Sequence, residues 1–314
     1  MLKGATARRA RELGTLVGLV ALVVLLSFLN KYFLTVSNLL NVMEQTSINA
    51  VIALGMTFVI LSGGIDLSVG SLLALSGVVL ASALQAGWPV PAAILAGLVV
   101  GGTSGLVNGL LITKGRLPAF IATLGMMSIA RGAALVFTSG RPISGFDAGF
   151  RQLSTARVLG IPAPIVITIA LYVIGHFLLT RTRFGRYVYA IGGNEEATRL
   201  SGISAGFHKT MVYVLSGVAS GLAAALLTAR LNSAQPIAGI NYELDAIAAT
   251  VIGGTSLSGG VGTLHGTLIG ALIMGVLRNG LNLLGTSSFF QQIVIGIVII
   301  TAVLVDSMLK PSAK

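Results

Sequence analysis

Of the chain's 314 residues, 54% are hydrophobic and only 9% are charged, far below the roughly 25% charged of a soluble domain. Its net charge of +11 sits at the ends of apolar runs rather than in one cluster, which argues against a nucleic-acid partner and for membrane topology and anionic lipid headgroups. With no cysteine, disulfides and thiolate metal sites are excluded, and 41 glycines favour close helix packing.

Lys3, Arg8, Arg9 and Arg11 precede an apolar run from Leu13 to Leu29. No small-residue cleavage site follows, so the run is expected to be a retained first span with its N-terminus inside. Residues 31–45 are polar enough to lie outside or at the interface. A second span, from about Ser47 to Leu61, ends at the glycine-rich break Gly63-Gly64-Ile65-Asp66-Leu67-Ser68-Val69-Gly70. A third span reaches about Leu84, and Trp88 and Pro89 mark an outer interface. The fourth opens at Pro91 and closes at Lys114 and Arg116. Along it Gly97, Gly101, Gly105 and Gly109 recur every four residues, leaving one smooth face for a neighbouring helix. The fifth span runs from Pro118 to about Thr138. An outer loop follows from Ser139 to Gly160, and Pro162 and Pro164 introduce the sixth span.

After a polar stretch from Arg181 to Lys209, the seventh span covers about Thr210 to Ala229, and Arg230 to Asp245 is a polar outer segment. A short eighth span reaches a second break, Gly253-Gly254-Thr255-Ser256-Leu257-Ser258-Gly259-Gly260-Val261-Gly262. The ninth runs from Thr263 to Leu284 and the tenth from Phe289 to Val305, placing Asp306, Lys310 and Lys314 inside. The expectation is one all-α polytopic membrane domain over 1–314, with about ten transmembrane helices and both termini cytoplasmic. Thirteen of the 20 basic residues then fall inside, five outside, and Arg131 and Arg278 within spans.

The stretch 181–209 is the longest polar interruption, and its basic residues mark it as cytoplasmic. Within it Asn194 to Leu200 reads as a short helix, capped by Asn194, with Glu195 and Glu196 at the positive end of its dipole and Gly202 as its stop. A short surface helix there suggests docking, against the plainer reading of a solvated connection. The two glycine-rich breaks resemble each other and suit backbone lining a cavity, although two independent tight turns would use glycine as well.

Chemistry is missing. No GxxxxGK[ST] or HExxH occurs, and His176, His208 and His265 are far apart in sequence for a metal site. What remains are ionisable and amide groups near spans: Asp66 and Ser68 in the first break, Glu243 and Asp245 at the eighth span, Arg131 and Arg278. Buried charges need a partner or a wet cavity, and an ion pair of Arg131 with Glu243 or Asp245 is one reading. Asn41, Gln45, Asn49, Asn108, Asn279 and Asn282 either hydrogen-bond a polyhydroxy solute in a translocation pathway or bond between helices. A competing reading is an ion-coupled secondary transporter using Asp66 or Glu243.

Four long motifs carry a resemblance: GMTFVILSGGIDLSVGSLLALSG at 55–77, KGRLPAFIATLGMM at 114–127, GRYVYAIGGNEEATRLSGI at 185–203 and SAQPIAGINYELDAIAATVIGGTSLSGGVG at 233–262. They resemble the permease family of bacterial ATP-binding-cassette sugar importers, closest to its ribose branch, over about Phe33 to Asp306. The resemblance implies a homodimer in the bacterial inner membrane with a pathway at its interface. It further implies two cytoplasmic ATPase domains that bind the ATP, no cofactor on this chain, and a periplasmic sugar-binding protein docking outside. It makes 192–202 a coupling helix, with Gly193, Asn194, Glu195, Glu196, Ala197, Arg199, Leu200 and Gly202 meeting the ATPase. Arg141, Arg151, Arg157 and Arg230 on the outer side are expected to meet carboxylates of the binding protein. One departure is Arg278, which stands where the family pattern leads us to expect a neutral polar residue.

Overall fold

Two helices that are buried along most of their length set the architecture: α2 (Val36–Leu61) and α10 (Ala205–Leu231). The computed structural model describes residues 2–308, with side chains from 14 to 304, so the side chains of Lys3, Arg8, Arg9, Arg11 and Asp306, and all of Lys310 and Lys314, on which the inside placement rests, lie outside what is described. Around the central pair stand α1 (Leu2–Leu29), α3 (Val69–Gln85), α4 (Val90–Thr113), α5 (Ala119–Thr138), α7 (Ala163–Arg181), α11 (Tyr242–Ile252), α12 (Leu264–Leu283) and α13 (Ser288–Met308). Among the described residues six helices are long and apolar enough to cross a membrane: α2, α4, α5, α7, α10 and α12. Three more apolar stretches, Gly14–Leu29, Val69–Gln85 and Ser288–Leu304, are shorter. Helix α11, at 11 residues, is about 16 Å long and spans only half a bilayer core.

The outward sides of α4, α5, α7 and α13 carry bare apolar groups such as Leu95, Ile129, Val136, Val173, Phe177, Ile293 and Ile300. Such faces suit hydrocarbon rather than water. Inward, the glycine ladder of α4 lies on α10, as its spacing predicts. A Cβ on Gly101 would strike the Gly217 carbonyl, and one on Gly217 the Gly101 carbonyl. Only glycine at both positions lets the two backbones approach this closely.

Helix α2 begins about eleven residues earlier than its apolar pattern predicts, with the Thr35 hydroxyl accepting from the Asn38 amide at 3.4 Å. Its first turns carry Asn38, Asn41 and Gln45, which hide the helix from a hydropathy reading. The loops expected on the outer side hold small elements: α6 (Ala148–Thr155) and the strands β1 (Ile143–Ser144), β2 (Arg157–Val158), β3 (Ile161–Pro162) and β4 (Ser233–Ala234). Strand β1 pairs antiparallel with β4, joining the two outer segments through Ile143 opposite Ala234. Strand β2 pairs with β3. The polar stretch 181–209 folds as α8 (Arg183–Gly193) followed by α9 (Glu195–Leu200).

The first break joins α2 to α3, and the second joins α11 to α12. The Gly260 amide donates to the Leu61 carbonyl at 2.9 Å, so the two breaks touch. Just above, the hydroxyls of Thr57 and Thr267 meet at 2.8 Å and pin α2 to α12.

Candidate functional site

At the end of the molecule that carries the polar stretch 181–209, the end of α8 seats against both breaks. A Cβ on Gly192 would overlap the Leu61 carbonyl and stand 2.5 Å from the Gly260 amide, while Gly260 also abuts Gly193. Tyr189, one turn earlier, donates its hydroxyl to the Gly262 carbonyl at 2.7 Å. From α10, Tyr213 donates to the Ile65 carbonyl in the first break at 3.3 Å. Each break is therefore held by a tyrosine, and α8 touches both at once.

Helix α9 takes the form its sequence predicts. The Asn194 side chain accepts from the Ala197 amide at 2.8 Å, satisfying a free N–H of the first turn. Glu195 accepts from Arg199 at 2.9 Å on its own helix and from Lys209 of α10 at 2.8 Å. Partial burial pushes the Glu195 carboxyl up, but these two cations outweigh it and hold the group below the usual glutamate range. Gly202 follows at φ +80°, a left-handed stop. Thr198 faces inward, whereas Glu196, Ala197 and Arg199 are exposed and Leu200 is 84% exposed. Leu200 is thus a bare apolar side chain on a polar surface helix, beside charged neighbours.

At membrane depth the polar groups sort into two sets. Asp66, Ser68, Asn108 and Ser216 are fully enclosed. Asp66 Oδ1 accepts from the Ser68 amide (3.0 Å) and hydroxyl (2.6 Å), Oδ2 from Ser216 (2.8 Å), and Asn108 donates to the Ser68 hydroxyl at 3.0 Å. This is a closed knot that ties the first break to α4 and α10. Asn279 exchanges two amide bonds with Asn38, each 3.0 Å, and Asn282 accepts from Gln291 at 2.7 Å; both join helix to helix.

The second set is open. Asn41 accepts from Gln45 at 3.1 Å and from Arg230 at 3.2 Å. Asn49 donates to Asp245 at 3.4 Å, and Arg278 holds Asp245 at 2.8 and 2.6 Å. The pairing differs from the expected one of Arg131 with Glu243 or Asp245. Arg131 instead donates to the carbonyls of Pro236 and Ala238, both at 2.7 Å, satisfying the bend that leads into the half-length α11. Half-buried Glu243 lies within the field of Arg131 without a direct bond. In the segment between α5 and α7, Arg141, Arg151 and Arg157 are exposed, with Arg157 donating to Gly160 at 3.4 Å, while Arg230 turns toward Asn41. The rings of His176 and His265, remote in sequence, stand 4.4 Å apart, but no group of three potential metal ligands exists among the described residues.

Sequence reasoning did not single out Tyr189, Tyr213 or Ser216. For Tyr189 a signal existed, because it stands one turn before the Gly192-Gly193 pair.

Residues 38–303 match the family described as branched-chain amino acid transport system / permease component. The chain is 54% identical over 298 residues to the ribose import permease protein RbsC of Bacillus subtilis, covering 94% of this chain and 92% of that one. It is 51% identical over 300 residues to RbsC of Escherichia coli K12, covering 94% of each. It is 44% identical over 280 residues to the D-allose transport system permease protein AlsC of the same strain, covering 89% and 86%.

Proposed function

This chain belongs to the branched-chain amino acid transport system / permease component family, and from that premise we propose how it imports a sugar. It is the permease subunit of an ATP-binding-cassette sugar importer, a multi-pass protein of the bacterial inner membrane. The substrate is ribose or a related monosaccharide. The chain has no phosphate-binding loop, so ATP is hydrolysed on separate partner subunits, two per transporter, while a periplasmic binding protein delivers the sugar. Ten membrane segments, with α11 as a half-length one, leave both termini cytoplasmic. Two copies of the chain enclose the pathway.

The observation that carries the coupling assignment is the bare Leu200 on a helix whose base is fastened to both glycine-rich breaks. A six-residue helix does not repay its own nucleation in water. The Glu195 bridges to Arg199 and Lys209 brace it against α10, and an ATPase cleft closing on Leu200 then moves α8, and with it the breaks that end α2 and α11. Asp66 is satisfied by neutral hydroxyls and an amide and is closed from water, which favours this scheme over ion coupling through it.

Leu200→Asp, or proline at Ala197, tests the assignment. Both variants are expected to insert normally and to bind the sugar-binding protein, yet to lose the ATPase subunits in a pull-down and lose uptake in proteoliposomes. Normal uptake by the proline variant would reduce α9 to a connection.

A further inference from the structure

Asn41, Gln45 and Asn49 recur every four residues, so they line one face of α2, and that face runs on into Arg230, Asp245 and Arg278. Asn49 stands twelve residues from the cytoplasmic end of α2 and Arg278 fourteen from that of α12, about 18–21 Å along each axis. In a hydrocarbon core about 30 Å thick, both lie just outside the middle. At that depth the Arg278 side chain is 36% exposed. Only its Nη2 is engaged, on both oxygens of Asp245; Nε and Nη1 have no partner among the described residues. Beside it the Asn49 Nδ2 faces the Asp245 carboxylate, and its buried Oδ1 has no hydrogen-bond partner among the described residues.

A part-exposed guanidinium with free N–H groups cannot face lipid tails, so this face meets water or a polar solute. Free donors next to a free acceptor match a sugar's neighbouring hydroxyls, since each hydroxyl both gives and takes a hydrogen bond. The Asp245 carboxylate fixes the fork and cancels its charge. The pair therefore fits a neutral sugar rather than a sugar phosphate.

We propose that Arg278, oriented by Asp245, and Asn49 form a hydroxyl-reading station for the neutral sugar part-way across the membrane; this rests on the import reading above. The guanidinium donates to one hydroxyl, and the Asn49 Oδ1, enclosed in the unloaded chain, accepts from its neighbour once its side chain turns toward the face. Asp245 is a positioning residue that does not itself touch the sugar.

The test uses the assembled transporter in proteoliposomes, with uptake of ribose and of its mono-deoxy analogues measured against one and the same binding protein. Asp245→Asn combined with Arg278→Gln avoids stranding a buried carboxylate. Because the binding protein is held constant, any change in the ribose-to-deoxy ratio belongs to the permease. The double variant is expected to keep its ATPase subunits, to slow ribose uptake about tenfold, and to lose most of that ratio for at least one analogue, as the loss of one charged hydrogen bond implies. The chain has no cysteine, so Gln45→Cys supplies a single thiol. A membrane-impermeant thiosulfonate should label it from outside, more slowly once ribose-loaded binding protein is present. An unchanged rate and ratio would overturn the station, as would an unlabelled thiol. Loss of assembly in the double variant would also overturn it, leaving a structural ion pair. Wild-type transporter that takes up neither ribose nor any analogue would overturn the import reading itself.

Discussion

Gly192→Ala should disconnect ATP hydrolysis from transport. The added methyl would stand 2.5 Å from the Gly260 nitrogen and 2.9 Å from the Leu61 carbonyl carbon, where side-chain carbons essentially never come within 3.0 Å of such atoms. To recover ordinary contact the end of α8 must retreat by roughly an ångström, at a cost of about 1–3 kcal/mol. That retreat separates the coupling segment from both breaks while leaving α9 and Leu200 intact on the surface. The assembled transporter should therefore keep its ATPase subunits and basal hydrolysis, lose stimulation by sugar-loaded binding protein, and import at least tenfold less sugar per ATP. Tyr189→Phe adds no atom and removes only the 2.7 Å bond to the Gly262 carbonyl. Leaving that bond unmade costs about 1 kcal/mol, so sugar moved per ATP should fall about fivefold. Wild-type stoichiometry in both variants would refute the reasoning.

Two further outcomes follow from the outer and packing surfaces. Charge reversal at Arg141 and Arg151 should weaken binding-protein affinity and flatten its salt dependence while basal ATPase activity is unchanged; a salt titration that matches wild type would count against docking there. Gly101→Ala drives a Cβ into the Gly217 carbonyl and should pry α4 from α10, lowering the unfolding midpoint in detergent by several degrees, and an unshifted midpoint would contradict the close-packed ladder.

Local signals were readable because the chemistry that makes them is local. Asn194, the two glutamates and Gly202 lie within nine residues of one another, and helix α9 appears where they put it. The four-residue glycine period likewise declares the α4 face that meets α10. Long-range partners were not readable. Which carboxylate Arg278 takes depends on α11 starting deep in the molecule, and no spacing reveals that. The start of α2 was hidden because its first turns carry amides that join Asn279 and Arg230 rather than apolar side chains. The strands β1 to β4 are two residues each, too short to leave any alternation.

The most direct test of the account is sugar uptake into proteoliposomes holding this chain with and without its ATPase subunits. With loaded binding protein outside and ATP inside, the account predicts that sugar enters only when both subunits are present and ATP is hydrolysed. It predicts no movement by the chain alone under a proton or sodium gradient. Gradient-driven uptake by the isolated chain, without ATP, would contradict it.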